Sequence, residues 1–319
     1  SSQEKLENVH KNDNFSKRKT VGNNKNNMLK SSKSFTKPDL HNYTPYSETQ
    51  WRDLISKKES INYEKAIFSL KCGIPKNLRG KVWIYLSKCL ETAVKYSSDI
   101  YEKLVKQQND SAEDMINKDL NRTIMITQDP IVKDLLSKKK QELFNILKAY
   151  ANFDPEVGYV QGTNYIVNIL LSNLNSERAT FWIYVQIMED KNWRDLYVDQ
   201  LPKLQRLLSL FKELMAKKIP EVLFFFENQF EQEIFTAMFT HYFISIFSYG
   251  VPLDYANRVL DFFWFLEEKV IIDCLIHLLA LNEKKILKMP METLIPYIRN
   301  DLVSDSIDNY GIEQTLPNY

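Results

Sequence analysis

The sequence predicts an all-α fold with multiple helices, and three observations predict it. Apolar residues recur at helical spacing from Ser47 almost to the end of the chain. Glycine is scarce, at 7 of 319 residues, and proline is modest at 11, which disfavours a turn-rich β architecture. No stretch alternates apolar and polar residues for long enough to make a sheet, and no repeat of fixed period appears. Hydrophobic residues make up 44% of the chain, enough for a sizeable core.

The elements follow in order. Residues 1–43 are rich in Asn, Ser and Lys, with apolar residues only singly, and are expected to be a disordered basic segment. Ser47 is expected to cap a helix carrying Trp51, Leu54 and Ile55. Gly73-Ile74-Pro75 breaks the chain, and Pro75 suits the first turn of the next helix. Leu78, Val82, Leu86 and Leu90 follow at four-residue spacing beside Trp83. Two helical pieces are read between Ser97 and Arg122, the second carrying Ile116 and Leu120. Pro130 opens another element. Leu143, Ile146, Leu147 and Tyr150 mark a helix ending near Phe153, and Asp154-Pro155 signals a turn. Further helices are expected near 163–173, 176–190, 200–217, 231–249, 254–267, 270–280 and 291–299. The helical domain thus runs from 47 to 301, as one continuous array or as two lobes, with 302–319 left as a polar tail.

Bulk properties exclude several classes of function. The net charge of +1 argues against a nucleic-acid-binding or membrane-binding polycation. The three cysteines, Cys72, Cys89 and Cys274, are scattered and suggest neither zinc nor disulfides, in keeping with a reducing compartment. No metal site is expected. His241 and His277 fall in apolar helical runs and read as packed, hydrogen-bonded core histidines. The first residues show no signal-peptide pattern, and the most apolar stretch, Val251 to Leu281, is interrupted by seven charged residues from Asp254 to Asp273. A soluble, cytoplasmic protein is expected. The chain begins Ser1-Ser2 rather than with Met, so it is expected to be a fragment and little is read from its ends.

Two short stretches carry chemistry. Ile116, Asp119 and Arg122 are three apart, so successive members are neighbours on one helix surface. Ile116 can anchor that surface, and Asp119 can hold the Arg122 guanidinium. Such a pair is ordinary by itself. In Gly158-Tyr159-Val160-Gln161-Gly162-Thr163-Asn164, two glycines bracket Gln161, and Thr163 or Asn164 could cap the following helix. An arginine and a glutamine are the side chains that GTP hydrolysis needs, one for charge and one for water. Yet the chain has no G-x-x-x-x-G-K-[ST] phosphate loop. If these residues do phosphoryl chemistry, the nucleotide must be held by another protein.

A third block, Gly73-Ile74-Pro75-Lys76-Asn77-Leu78-Arg79-Gly80-Lys81-Val82-Trp83, precedes these two. In that order the blocks closely resemble the TBC domain, the family of Rab GTPase-activating proteins. Phe239–Phe243 and Val251–Phe263 extend the resemblance, which covers roughly residues 50–285. The resemblance implies that Arg122 is an arginine finger and Gln161 a glutamine finger supplied in trans. Asp119, Tyr159, Gly162 and Asn164 are then supporting residues, and Arg79 and Trp83 support the domain near the active face. It implies a Rab-family GTPase in its GTP form as partner, a place in vesicle trafficking, and no cofactor of its own, since GTP and Mg²⁺ arrive with the partner. No independent nucleotide hydrolysis and no nucleic acid are expected. The basic segment at 1–43 could add peripheral contact with acidic endomembranes. The family often has Q-G-M-N-D and R-T-F-P where this chain has Gln161-Gly162-Thr163-Asn164-Tyr165 and Arg122-Thr123-Ile124-Met125. Those departures bear on partner preference more than on activity. The alternatives are a catalytically silent scaffold of the same fold and a helical adaptor unrelated to GTPases.

Overall fold

Ser47 and Gln50 begin the helical array by capping each other. Gln50 N donates to Ser47 Oγ at 3.2 Å, and Ser47 N donates to Gln50 Oε1 at 3.0 Å. This reciprocal arrangement satisfies two backbone donors that the first turn would otherwise leave open. The computed structural model describes residues 43–57, 60–127, 130–198 and 201–319. The expected basic segment at 1–43 lies outside them except for Tyr43. Among the described residues there is no strand, and no helix is long and apolar enough to cross a membrane.

The first helices are α1 (Glu48–Lys57), α2 (Tyr63–Cys72), α3 (Arg79–Ser87), α4 (Cys89–Ala93) and α5 (Ile100–Lys106). Asn62 caps α2 through its side chain, and Gly73 ends that helix at φ +86°. Pro75 makes a turn leading into α3, its carbonyl accepting from Leu78 N and Arg79 N. The four-residue spacing from Leu78 to Leu90 does not make one helix. Lys88 adopts φ +54°, the chain turns, and Cys89 is buried while Leu90 is exposed. Spacing alone could not show this, because either helix satisfies it.

Next come α6 (Asp110–Ile126), α7 (Pro130–Lys138), α8 (Lys140–Phe153), α9 (Thr163–Leu174) and α10 (Glu177–Glu189). Helix α10 is the central strut, buried from Thr180 to Met188 and packed by α3, α4, α8 and α9. A helix apolar on all sides needs such complete coverage. Gly80 lets α3 cross α9 closely, since a Cβ there would collide with the backbone carbonyl of Asn173.

The second half holds α11 (Pro202–Lys218), α12 (Pro220–Gln229), α13 (Gln232–Ile244), α14 (Leu253–Leu266) and α15 (Glu268–Leu281). Helix α12 is absent from the sequence-based reading. Pro220 looks like a break, but it occupies the first turn, where a missing N–H costs nothing. Phe226 from α12 packs with Phe211, Phe235 and Phe239 in an aromatic cluster. The expected helix 231–249 stops at Ile244. Ile246 and Phe247 have φ of +49° and +59°, and both are fully buried. Backbone this unfavourable for a β-branched residue persists only where packing holds it.

The chain closes with α16 (Glu283–Ile286), α17 (Met291–Pro296), a π-turn at Tyr297–Asp301, α18 (Leu302–Tyr310) and α19 (Ile312–Thr315). The expected polar tail at 302–319 is therefore corrected. Leu302, Val303, Ser306, Thr315 and Leu316 are buried, and Asn282 Nδ2 donates to Ser306 Oγ at 2.7 Å. Its few apolar residues sit on one helix face among Asp and Asn, which hides them in a linear reading.

Two charged side chains of α14 tie the ends of the domain together. Arg258 donates to the carbonyls of Leu70 and Lys71 at the end of α2, and it pairs with Glu313 at 2.7 Å. Asp261, fully buried, accepts from Arg79 Nε at 3.1 Å and from Trp83 Nε1 at 2.8 Å.

Candidate functional site

Helix α6 places the first half of the site. Asn109 caps it through a bond from Ala112 N, while Glu113 accepts from Asn109 N. Ile116 and Leu120 point into the core, with 0% and 2% exposure. That orientation sets Asp119 and Arg122 on the adjoining face, as the i,i+3 spacing predicts. Asp119 is buried and pairs with Arg122 Nη2, whose side chain remains 50% exposed.

The loop from Asp154 to Gly162 places the second half, and it is pinned at both ends. At its start, Arg194 grips the buried Asp154 carboxylate at 2.7 Å, and Gly158 N donates to Asp154 O at 2.8 Å. At its end, Tyr159 Oη donates to Asp119 Oδ2 at 2.6 Å, and Gly162 N donates to the same oxygen at 3.3 Å. Burial and the bond to Asp119 push the Tyr159 hydroxyl well above its usual range, so it stays a donor. Gly158 and Gly162 have φ of +62° and +96°, which other residues adopt only with strain.

Gln161, exposed between them, turns its amide oxygen to Arg122. That oxygen accepts from Nη2 at 2.7 Å and Nη1 at 3.1 Å, the orientation that pairs acceptor with donors. Asp119 thus joins the helix bearing Arg122 to the loop bearing Gln161. Asn164, 2% exposed, donates to Thr123 Oγ1 at 2.9 Å and fastens the first turn of α9 to α6.

The structure brings together Asp119, Arg122, Tyr159, Gln161, Gly162 and Asn164, which the sequence singles out, with one correction. Neither Thr163 nor Asn164 caps α9. Gly162 occupies that position without a side-chain bond, while Thr163 donates back to Val160 O and Asn164 bonds across to Thr123. Arg79 and Trp83 both bond the buried Asp261 of α14, and Gly80 between them packs against Asn173 near the C-terminal end of α9. Sequence reasoning passed over Arg194, Tyr249 and Arg299. Beside the fingers, Tyr165, His241, Tyr249 and Arg299 help line a cavity of about 480 Å³. Of the two histidines expected to bond within the core, His277 contacts Gln314 O at 2.8 Å. His241 faces the cavity instead, and burial, then the charge of Arg299, drives it down to about 3.

Among the described residues the domain is all-helical, and it exposes an arginine joined to a glutamine. The Rab-GTPase-TBC domain model matches residues 76–287, two thirds of the sequence, and the chain belongs to this family. Among its relatives, the GTPase-activating protein GYP5 of Eremothecium gossypii is 27% identical over 263 residues, covering 82% of this chain and 29% of that protein. The GYP5 protein of Saccharomyces cerevisiae is 26% identical, covering 78% and 26%. The human ecotropic viral integration site 5 protein homolog is 29% identical, covering 78% and 29%. The chain thus spans less than a third of the length of these curated relatives. Among solved structures, the Chlamydomonas flagellar RabGAP TBC domain superposes with a TM-score of 0.67 at 21% identity, covering 85% of this chain and 90% of that one. The Ypt/Rab-GAP domain of Gyp1p gives 0.64 at 17%, covering 84% and 94%. Both show the fold.

Proposed function

We propose that this chain accelerates GTP hydrolysis by a Rab-type GTPase, supplying Arg122 and Gln161 to the partner's active site. The observation that carries the reading is the shared anchor. One buried carboxylate, Asp119, holds both the Arg122 guanidinium and the backbone N–H of Gly162, next to Gln161. Both side chains therefore leave one face at fixed spacing. A planar guanidinium can spread its charge over several phosphoryl oxygens as negative charge shifts during transfer. A carboxamide can hold the attacking water in line. In the free chain the two satisfy each other. On docking, phosphoryl oxygens replace the glutamine as acceptor for Arg122, and the amide is released to the water. GTP and Mg²⁺ enter with the partner, and this chain forms no covalent bond to either.

The test is single-turnover hydrolysis across a panel of GTP-loaded Rab proteins. One or a few members should be accelerated on the order of 10³–10⁵-fold, the scale of a trans-acting arginine. Binding of GTP-loaded Rab without acceleration would make the chain a silent scaffold, and neither binding nor acceleration would overturn the reading entirely.

A further inference from the structure

We propose that Arg299, with Tyr165 and Tyr249, forms a docking pocket beside the fingers that takes an acidic side chain of the GTPase, an inference that rests on the function proposed above. The cavity of about 480 Å³ that opens at Arg122 and Gln161 has two guanidinium groups on its walls and no carboxylate among its described lining residues. His241 adds no charge at neutral pH, because burial and Arg299 hold it deprotonated. The wall is therefore cationic. Arg122 is balanced by Asp119 behind it, but Arg299 has no ion-pair partner among the described residues.

Arg299 is also held in place. It lies in the π-turn Tyr297–Asp301 directly after Pro296, and Tyr242 Oη donates to the neighbouring Ile298 carbonyl at 2.5 Å. Single π-turns set within a run of helix, as here between α17 and α18, recur at functional sites. The same cavity is lined by aromatic rings. Tyr165 and Tyr249 meet edge to face with centroids 4.9 Å apart, and Tyr249 meets the His241 ring at 5.5 Å. Thr123, next to Arg122, donates to Tyr165 Oη at 3.3 Å and fixes that wall to the finger helix. A half-buried arginine sharing a cavity with aromatic rings suits a glutamate, with its stem on the rings and its carboxylate on the guanidinium. A GTPase that reaches Arg122 and Gln161 must cover this opening, so the acid is expected on its surface near the nucleotide. Arg299 is then a positioning residue that sets which GTPase fits.

The experiment measures kcat and KM with the GTPase most strongly stimulated by the unmodified chain. Arg299→Glu reverses the charge, and Tyr165→Asp puts a competing carboxylate into the cavity. Each should lower kcat/KM about tenfold or more, with the loss carried by KM. A Glu→Lys or Asp→Lys change at one site on the nucleotide face of the GTPase should restore activity with Arg299→Glu. An unchanged KM in both variants would overturn the pocket while leaving the proposed function standing. A loss carried by kcat would overturn it too, placing Arg299 on the transferring phosphoryl group. No stimulation by the unmodified chain would sink both.

Discussion

The domain uses the same chemical trio twice, with opposite consequences. At α6, Asp119 accepts from Arg122 and from Tyr159 Oη. At α14, Asp261 accepts from Arg79 and from Trp83 Nε1. Each trio is an aspartate between an arginine and an aromatic donor. The difference lies in the arginine: Arg122 is 50% exposed and Arg79 only 6%. The buried trio joins two helices far apart in sequence, and breaking it strands a charge away from water. The half-exposed trio binds little of the core, but it aims a guanidinium outward. Burial, more than residue type, separates the structural arginine from the one proposed to act on the nucleotide.

That contrast can be broken by substitution. The largest expected effect is on Arg122. Arg122→Ala, and also Arg122→Lys, should reduce stimulated GTP hydrolysis on the order of 10³–10⁵-fold, since lysine lacks the planar fork. The unfolding free energy should fall by only about 1–3 kcal/mol for the alanine, because the buried Asp119 loses one partner but keeps its bonds from Tyr159 and Gly162. Single-turnover kinetics and urea unfolding of the same samples check both halves, and a variant keeping more than about a tenth of the rate would refute the role.

Asp261→Ala should show the mirror image. It leaves the buried Arg79 unpaired, so unfolding should cost about 3–5 kcal/mol less. At a temperature where the variant is still folded, its hydrolysis rate on the partner should match the unmodified chain. A rate defect in fully folded protein would mean that α3 and α14 feed the finger face directly.

A smaller effect sharpens the same point away from any charge. Gly80→Ala drives a methyl group against the Asn173 carbonyl and should destabilise by about 1–3 kcal/mol. The melting temperature is the readout, and no change would show that α3 can move away from α9 freely.

Much of this was legible in the sequence, for physical reasons that differ by element. The caps at Ser47 and the helix signals from α8 to α11 are local, since neighbours in sequence satisfy one another. The pairing of Asp119 with Arg122 is equally local, one turn apart on one helix. The joining of Asp119 to Gly162 and Tyr159 spans some 40 residues, and only resemblance to a family suggested it. The Asp261 trio spans 182 residues, and no periodicity reveals which acid a buried arginine will meet. The cap of α9 was misread because a hydroxyl and an amide beside a helix start can also bond elsewhere, and tertiary partners won. The place of Tyr249 in the cavity wall was hidden because Ile246 and Phe247 end α13 with backbone angles that the sequence disfavours, and Arg299 comes from an element some 50 residues further on.

The water-positioning role proposed for Gln161 is the most direct claim to test, because the GTPase family carries a glutamine that can do the same work and the two can be removed separately. The decisive measurement is single-turnover hydrolysis by the partner Rab after its own catalytic glutamine has been replaced by alanine. The unmodified chain should still stimulate that Rab strongly, and Gln161→Ala should stimulate neither that Rab nor the normal one. Stimulation that vanishes with the altered Rab yet survives Gln161→Ala on the normal Rab would place the water in the GTPase's own hands and contradict the account.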